Sequence, residues 1–244
     1  EISECLVGSE MCIRDRDTIM TNMQEMLGSM GEGEEGIATN VDIVFVIDAT
    51  RSMQTTIDMV KESALSFQDK LYDFMDEAKR SINNLRIKVV WFRDFYYDGN
   101  YAYDESKFFE LPEEKEEFRD FVNGIHEAGG GDDPESGLEA LTMAMRSDFV
   151  QEGEKKRHII VLFTDAAAHP FEDYDELTAE AAKKGCKPTM YPKNMPKNIS
   201  EFYNAWEGNA MNQDALGCDG ENTKLDADGR SCLLYTSPSP RDTR

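Results

Sequence analysis

Several short stretches of the chain carry the hydrophobic pattern of β-strands. Residues 42–47 consist mainly of β-branched and aromatic side chains, which is typical of a strand buried on both faces. Residues 85–92 and 158–163 predict two further strands, and residues 106–111 predict a short strand that returns from a hairpin. We therefore expect a sheet with the returning strand at one edge.

Apolar residues recur at helical spacing between these strands. From Met53 to Ala78 they alternate at intervals of four and three, which predicts one long helix with a continuous apolar stripe. The heptad spacing also suits a coiled coil, but attachment to a buried strand favours a helix that crosses over the sheet. Shorter helices are predicted at residues 113–125, 134–149 and 199–207. The alternation of strands and helices predicts one α/β domain with a doubly wound, mainly parallel sheet flanked by helices.

The segment before the first strand predicts the end of a helix and a linker. Methionines recur at helical spacing within residues 17–30, which favours an apolar helix face over a metal-binding methionine cluster, because nothing else soft is nearby. Residues 31–36 consist of glycine and glutamate, a composition typical of a flexible linker. We assign residues 17–39 to a truncated N-terminal segment with this linker, and residues 40–231 to the α/β domain.

The two ends of the chain encode one DNA string in opposite directions. Residues 6–15 back-translate to a string whose reverse complement, read one frame over, encodes residues 232–241. Two unrelated protein ends would not share such a string by chance, and the string resembles a transposase-based sequencing adapter. We therefore predict that residues 1–16 and 232–244 are translated adapter, that the gene is cut at both ends, and that these segments stand outside the fold. The alternative is a pair of ordinary disordered tails.

The charge of the chain argues against two classes of partner. Asp and Glu number 49 against 26 Lys and Arg, giving a formal net charge of -23. Nucleic acids and anionic membranes both require a basic surface, so we expect neither as a partner. No apolar run approaches the roughly 20 residues that span a bilayer. A cytoplasmic location is favoured, although a missing true start leaves no signal peptide to search for.

Oxygen-bearing side chains cluster where predicted strands end. Asp48, Thr50 and Ser52 follow the first strand, and Asp165 follows the strand at residues 158–163. If those strands are parallel neighbours, Asp48 and Asp165 lie side by side at one edge of the sheet. Carboxylates that close repel each other unless a cation lies between them. An all-oxygen set of this kind suits Mg²⁺, with Mn²⁺ or Ca²⁺ as alternatives, whereas helix capping is the simpler role for the first three residues.

A glycine-rich loop adds a further carboxylate. Asp133 precedes Pro134, and an Asp cap followed by proline at the first helical position is a strong helix start. Asp133 is therefore predicted to cap the helix, which leaves Asp132 to face the site. The three glycines before Asp132 allow a close backbone approach or a positive φ.

These motifs together resemble the von Willebrand factor type A domain and its metal-ion-dependent adhesion site. In that family the first loop reads Asp-x-Ser-x-Ser, the second supplies a threonine and the third an aspartate. The resemblance covers about residues 40–210 and extends to bacterial members with Asp-Ala-Thr-Gly-Ser, Gly-Gly-Asp-x-Pro-Glu and Thr-Asp-Ala motifs. It implies a Rossmann-like fold, a protein partner and a Mg²⁺ ion. The matching metal ligands in this chain are Asp48, Thr50, Ser52, Asp132 and Asp165.

The chain departs from the family pattern at three positions and in its length. Thr50 replaces serine and keeps the hydroxyl. Asp132 replaces threonine, so a third carboxylate lowers the positive charge at the metal and with it the demand for an acidic residue from a partner. Arg51 replaces glycine, and its side chain is expected to cover part of the site or to pair with an acidic group. The family also continues with another buried strand and a closing helix, neither of which is found before Arg230, so we expect an unpaired sheet edge.

The resemblance implies a metal-dependent protein-binding module, a scaffold or regulator rather than an enzyme. The alternatives are a metal-dependent phosphoryl-transfer or hydrolytic enzyme that uses Asp48, and a structural domain with an empty site. Against catalysis, aspartyl-phosphate phosphatases of similar topology need a second aspartate where this chain has Thr50, and the chain has no phosphate loop and no nucleophile elbow.

Three neighbouring features have less specific predictions. Arg93 and Asp94 are expected to form a structural ion pair or to support the metal site. His169 is expected at the surface or in contact with a partner rather than as a general base, because no nucleophile is paired with it. The aromatic side chains of residues 95–103 either pack the hairpin or form a face that binds a partner.

Overall fold

In a computed structural model of the chain, the strands among the described residues form one seven-stranded sheet. The structure describes residues 11–13, 39–55, 57–77, 82–131, 134–152, 155–206 and 230–236, so the helix end and the linker predicted for residues 17–36 lie outside the described residues. The strands are β1 (Met11–Ile13), β2 (Thr39–Asp48), β3 (Ile82–Phe92), β4 (Tyr103–Glu105), β5 (Phe109–Leu111), β6 (Lys155–Thr164) and β7 (Arg230–Thr236).

The described helices alternate with these strands. They are α1 (Ile57–Glu77), α2 (Lys115–Asn123), α3 (Gly137–Met145), α4 (Tyr174–Lys183) and α5 (Ile199–Trp206), with short 3₁₀ turns at Arg51–Thr55, Gly99–Tyr101 and Phe171–Asp173. The strand order is β1-β7-β6-β2-β3-β4, and β5 also pairs with β3. Only β4 and β5 run antiparallel to their neighbour, so the predicted mainly parallel α/β sheet is confirmed.

The central strand β2 is buried on both faces, as its composition predicts. Phe45 belongs to the core on the face covered by α1 and α2, where its ring meets Phe67 of α1 edge to face at a centroid distance of 5.7 Å. The neighbouring side chains Val44 and Val46 point to the opposite face and pack with α3. Alternate positions of one strand therefore serve two cores, which is why β2 has no polar face.

The end of β2 opposite the predicted site holds a buried ion pair. Asp42 is 1% exposed and accepts hydrogen bonds from Arg86 Nε at 2.8 Å and Nη2 at 2.6 Å. The backbone N–H of Val150 donates to the same carboxylate at 2.6 Å. These three donors compensate Asp42 for the loss of water, and they join β2, β3 and the segment after α3.

The prediction of an unpaired sheet edge is wrong. β7 pairs in parallel with β6 from His158 opposite Arg230 to Thr164 opposite Thr236, and β1 pairs with β7. Residues 11–13 and 232–236 thus enter the sheet, although they fall in the segments predicted to be translated adapter. A β-prone segment such as Cys-Leu-Leu-Tyr satisfies the open N–H and C=O groups of an edge strand whatever its origin. The adapter origin of the two ends stays a prediction.

Two predicted helix assignments also differ from the structure. α3 begins at Gly137 rather than at Pro134, because Glu135 is drawn into a parallel bridge with Ala168. Its N–H donates to Ala167 O at 2.8 Å, and its carbonyl accepts from His169 N at 2.9 Å. α4 is not among the helices predicted from the sequence, because only Leu177 and Ala181 of this helix are buried and so narrow an apolar stripe gives a weak periodic signal.

Candidate metal centre

The carboxyl ends of β2 and β6 lie side by side at one edge of the sheet. The two strands are parallel neighbours, with Ile47 opposite Phe163. Asp48 is the last residue of β2, and Asp165 directly follows the last residue of β6. The structure therefore brings together the two carboxylates that the sequence pattern places at this edge.

A continuous chain of close oxygen contacts joins four side chains there. The Thr50 hydroxyl donates to Asp48 Oδ1 at 2.7 Å, and its oxygen lies 3.0 Å from Ser52 Oγ. The Ser52 hydroxyl in turn donates to Asp165 Oδ1 at 2.9 Å. Asp48 is fully buried, Asp165 is half-buried and Ser52 is exposed. The chain of contacts therefore leads from the core to the surface.

Asp48 is a carboxylate without a basic partner. Burial raises its pKa from 3.8 to about 6, against the opposing effect of hydrogen bonds from the Thr50 hydroxyl, the Thr50 N–H at 2.9 Å and the Thr164 hydroxyl at 2.7 Å. The nearby charge of Asp165 raises the pKa further. Among the ion pairs of the described residues, none includes Asp48 or Asp165. The negative charge of this cluster is thus not balanced by any described Lys or Arg side chain.

The glycine-rich loop lies against the first loop. Gly129 and Gly130 have φ angles of 69° and 81°, in the region that favours glycine. A side chain on Gly130 would approach Thr50, with its Cβ 3.4 Å from that of Thr50, and it would also approach Glu135 Oε1 at 3.2 Å. The predicted close approach is therefore present. Asp132, the fifth predicted ligand, lies outside the described residues, as does Asp133.

Part of the chain matches a known family model. Residues 106–201, less than half of the chain, match the model described as von Willebrand factor A domain. The predicted resemblance to the von Willebrand factor A domain is confirmed. The matched range includes Asp165 but not the loop at residues 48–52.

Similar solved structures include two of the pilus adhesin SpaC from Lactobacillus rhamnosus GG. One shares 17% identity at a TM-score of 0.42 and covers 57% of this chain and 17% of the adhesin. The other, in an open conformation, shares 15% identity at a TM-score of 0.41 and covers 57% and 16%. This chain thus spans about a sixth of the length of those adhesins, and at this similarity no property of theirs transfers to it. A search of curated protein sequences gives no match.

Two residues that were not predicted as ligands also contribute to the site. Thr164 ends β6 and donates to Asp48 Oδ2 at 2.7 Å, so it holds the carboxylate that the first loop surrounds. The sequence feature that could have identified Thr164 is its position directly before Asp165, at the end of a buried strand. Glu135 is buried at 4% exposure beside Gly130. Glu135 is the last residue of the Gly-Gly-Asp-x-Pro-Glu motif, but its burial depends on the bridge to Ala168, which the motif does not predict.

Arg93 supports the first loop. Its guanidinium donates to three backbone carbonyls: Ala49 at 3.3 Å, Tyr101 at 3.1 Å and His126 at 2.7 Å. It also stacks over Trp91 at 4.8 Å from the ring centroid. One side chain therefore ties the loop after β2 to two neighbouring turns, and a role of Arg93 in supporting a metal stays a prediction.

His169 and most of the aromatic run are buried rather than exposed. The expectation that His169 lies at the surface is wrong: its side chain is 3% exposed, and its ring is 5.7 Å from that of Tyr96 in an edge-on contact. Phe95 and Tyr96 are fully buried, which favours the packing role of the aromatic run, although Tyr101 is 73% exposed. The bridge that draws Glu135 to the third loop also draws His169 inward.

The side chains present at the edge suit a hard cation better than a soft one. They offer hydroxyl and carboxylate oxygens, and in the described residues no group of three or more His, Cys, Asp or Glu side chains could hold a metal ion by itself. Arg51 is exposed, and no ion pair within the described parts of the chain includes it.

None of the described helices is both long and apolar enough to cross a bilayer.

Proposed function

We propose that this von Willebrand factor A domain binds a divalent cation at the edge formed by β2 and β6, and that this edge binds another protein. Mg²⁺ is the preferred ion, with Mn²⁺ or Ca²⁺ as alternatives. Thr50, Ser52 and Asp165 would hold the ion, with Asp48 and Asp132 as further acidic members of the site.

The observation that carries this proposal is the pairing of two hydroxyl oxygens. Each hydroxyl has a single proton, and with both carboxylates ionised Thr50 donates its proton to Asp48 while Ser52 donates its proton to Asp165. The 3.0 Å between Thr50 Oγ1 and Ser52 Oγ then contains no proton, so lone pairs face each other. Such an arrangement is repulsive, and a cation accepting both lone pairs would relieve the repulsion.

The charge of the site supports the same ion. Ionisation of Asp48 is opposed by burial and, to a smaller extent, by the nearby charge of Asp165. A divalent cation would offset both penalties. Because Ser52 is exposed, an ion held by its hydroxyl would be within reach of a second protein.

The geometry favours binding over catalysis by Asp48. Its carboxylate is 0% exposed, and hydrogen bonds from Thr50 and Thr164 occupy both oxygens. Attack by Asp48 on a phosphate ester would require the loop to open and both bonds to break. Turnover of a generic phosphate ester that disappears in Asp48→Ala would contradict this part of the proposal.

Titration calorimetry of the EDTA-stripped domain with MgCl₂ and MnCl₂ tests the metal site. We expect one saturable site that is lost in Ser52→Ala and in Asp165→Asn. Ser66→Ala on α1 and Asp120→Asn on α2 are matched controls on helices, outside the loops that form the site. Both variants should bind the metal as the wild type does. Absence of heat and of any metal-induced change in the thermal midpoint of the wild type would refute the metal site.

Affinity capture tests the second half of the proposal. The immobilised domain is compared in Mg²⁺ and in EDTA, with Asp165→Asn in Mg²⁺ as a third arm. We expect a partner that is retained only by the Mg²⁺-loaded wild type. A partner retained equally in all three arms would show that the edge is not the docking surface.

A further inference from the structure

A cavity of about 520 Å³ lies between the start of α4 and the segment 191–197. The loop that leaves β6 leads directly from Asp165 to this cavity, where Phe171 forms part of the wall. None of the lining residues belongs to the metal cluster. The volume falls within the range of roughly 300 to 1,000 Å³ that is typical of ligand-binding clefts.

Two tyrosine rings form a corner of this cavity. The rings of Tyr174 and Tyr191 are 4.5 Å apart between centroids and tilted by 52°. Met195 and Pro196 add apolar surface beside them. Faces of tyrosine rings attract cations through the ring quadrupole, and they also stack on planar guanidinium groups.

The cavity wall is held in place by buried and backbone contacts. The Tyr191 hydroxyl donates to Glu139 Oε1 at 3.4 Å, and the Tyr96 hydroxyl donates to the same oxygen at 3.1 Å. Arg146 Nη2 donates to the carbonyl of Asn194 at 2.7 Å. A ligand would therefore meet a preformed wall and would pay little ordering cost.

The charges around the cavity are mainly negative. Glu172 and Asp175 line it, and Asp173 and Glu176 lie beside them in the first turns. The basic residues are Lys197, which lines the cavity, and Lys193, which lies within the lining segment of the chain. The acidic side chains offset the positive end of α4, so the cavity favours cations over anions. The net charge of -23 for the whole chain likewise favours basic partners over acidic ones.

One exposed aromatic ring lines the cavity, and an exposed apolar side chain follows its lining segment in the chain. Tyr174 is 37% exposed, and Ile199, two residues beyond Lys197, is 39% exposed. Together with Tyr101 they are the exposed large hydrophobic side chains of the described part of the chain. Apolar surface around a cavity mouth favours a polypeptide, which covers the rim, over a free small molecule.

We propose that this cavity is a docking site for an arginine side chain of a protein partner. The guanidinium would stack in the corner of Tyr174 and Tyr191 and pair with Glu172 or Asp175, while the alkyl stem lies on Met195. Arginine suits the site better than lysine because its planar group both stacks on rings and pairs with a carboxylate through two parallel hydrogen bonds. The site is independent of the metal, so its binding is measured in EDTA.

The test is a titration of the isotope-labelled domain, followed by NMR, with a blocked Ala-Arg-Ala peptide. We expect saturable shifts of the Tyr174 and Tyr191 signals, and about tenfold weaker binding of the isosteric citrulline peptide, which lacks the charge. Tyr174→Ala and the double variant Glu172→Gln, Asp175→Asn should each weaken binding of the arginine peptide by about tenfold.

Matched controls separate the pocket from general charge and ring effects. Tyr101→Ala removes an exposed tyrosine outside the cavity, and Glu180→Gln removes an exposed charge from the same helix as Asp175. Both should bind the arginine peptide as the wild type does. Equal binding of the citrulline peptide, tighter binding of tetramethylammonium than of the peptide, or no saturable shift of the pocket signals would each overturn the proposal. Failure of Mg²⁺ binding would leave this result unchanged.

Discussion

Asp48→Asn should change the stability of the domain in opposite directions with and without metal. Burial raises the pKa of Asp48 from 3.8 to about 6. Each pKa unit corresponds to about 1.4 kcal/mol, so keeping this side chain ionised in the metal-free fold costs on the order of 3 kcal/mol. An asparagine keeps the acceptor for Thr50, and its amide can donate to the Thr164 hydroxyl, which can turn toward Ala166 O at 3.4 Å.

The sign of the pH dependence follows from proton binding. The native state holds the Asp48 proton up to about pH 6, whereas the unfolded chain releases it near pH 3.8. The metal-free wild type therefore loses stability as the pH rises through that interval, and the loss is complete above it. Asp48→Asn lacks this loss, so the variant should be about as stable as the wild type near pH 4 and roughly 1 to 3 kcal/mol more stable at pH 8 in EDTA.

Metal should reverse this order. Mg²⁺ at about a hundred times its dissociation constant stabilises a protein by roughly 2.7 kcal/mol, and the variant should lose most of that gain. Urea denaturation followed by circular dichroism measures the stability of both proteins at pH 4 and pH 8, in EDTA and in Mg²⁺. The exposed Asp120→Asn variant serves as the control. A variant less stable than the wild type in EDTA at pH 8, or one stabilised equally by Mg²⁺, would refute the reasoning.

Three further predictions concern charges near and far from the site. Arg51→Ala removes an exposed cation beside the proposed metal and should raise Mg²⁺ affinity by about threefold in calorimetry. Arg119→Ala is the control and should leave the affinity unchanged. Equal effects of the two substitutions would contradict a local role for Arg51. Asp42→Ala leaves Arg86 without its buried carboxylate and should cost roughly 2 to 4 kcal/mol in urea denaturation, with Mg²⁺ affinity unchanged if the fold survives. Burial raises the pKa of Glu139 to about 7, so the wild type should lose stability between pH 4.5 and pH 7, and Glu139→Gln should lose less over that interval; identical pH profiles would contradict this.

Much of the fold follows from local pattern. The three central strands appear where apolar runs predict them, because a strand covered on both faces needs a continuous apolar run. The long helix α1 follows from its periodic stripe in the same way. Once β2 and β6 are parallel neighbours, the positions of Asp48 and Asp165 at one edge follow from their places in the sequence.

The errors share one physical cause, which is contact between segments distant in sequence. Glu135 lies outside the helix predicted for it because its backbone forms hydrogen bonds with Ala167 and His169, which follow β6 in the chain. The same contact, in which the His169 N–H donates to the carbonyl of Glu135, draws His169 into the core. The edge pairing of β7 likewise depends on open hydrogen-bonding groups of β6, which no local pattern of residues 230–236 reveals.

The sequence by itself determined which elements form and which oxygen-bearing residues end the central strands, because periodicity and strand-end chemistry are local properties. Only the tertiary structure decided how those residues are connected. The Ser52 bond to Asp165, the burial that raises the pKa of Asp48 and the tyrosine corner beside α4 each require residues from separate segments to meet. Distances and desolvation arise from packing, and packing is a property of the whole chain.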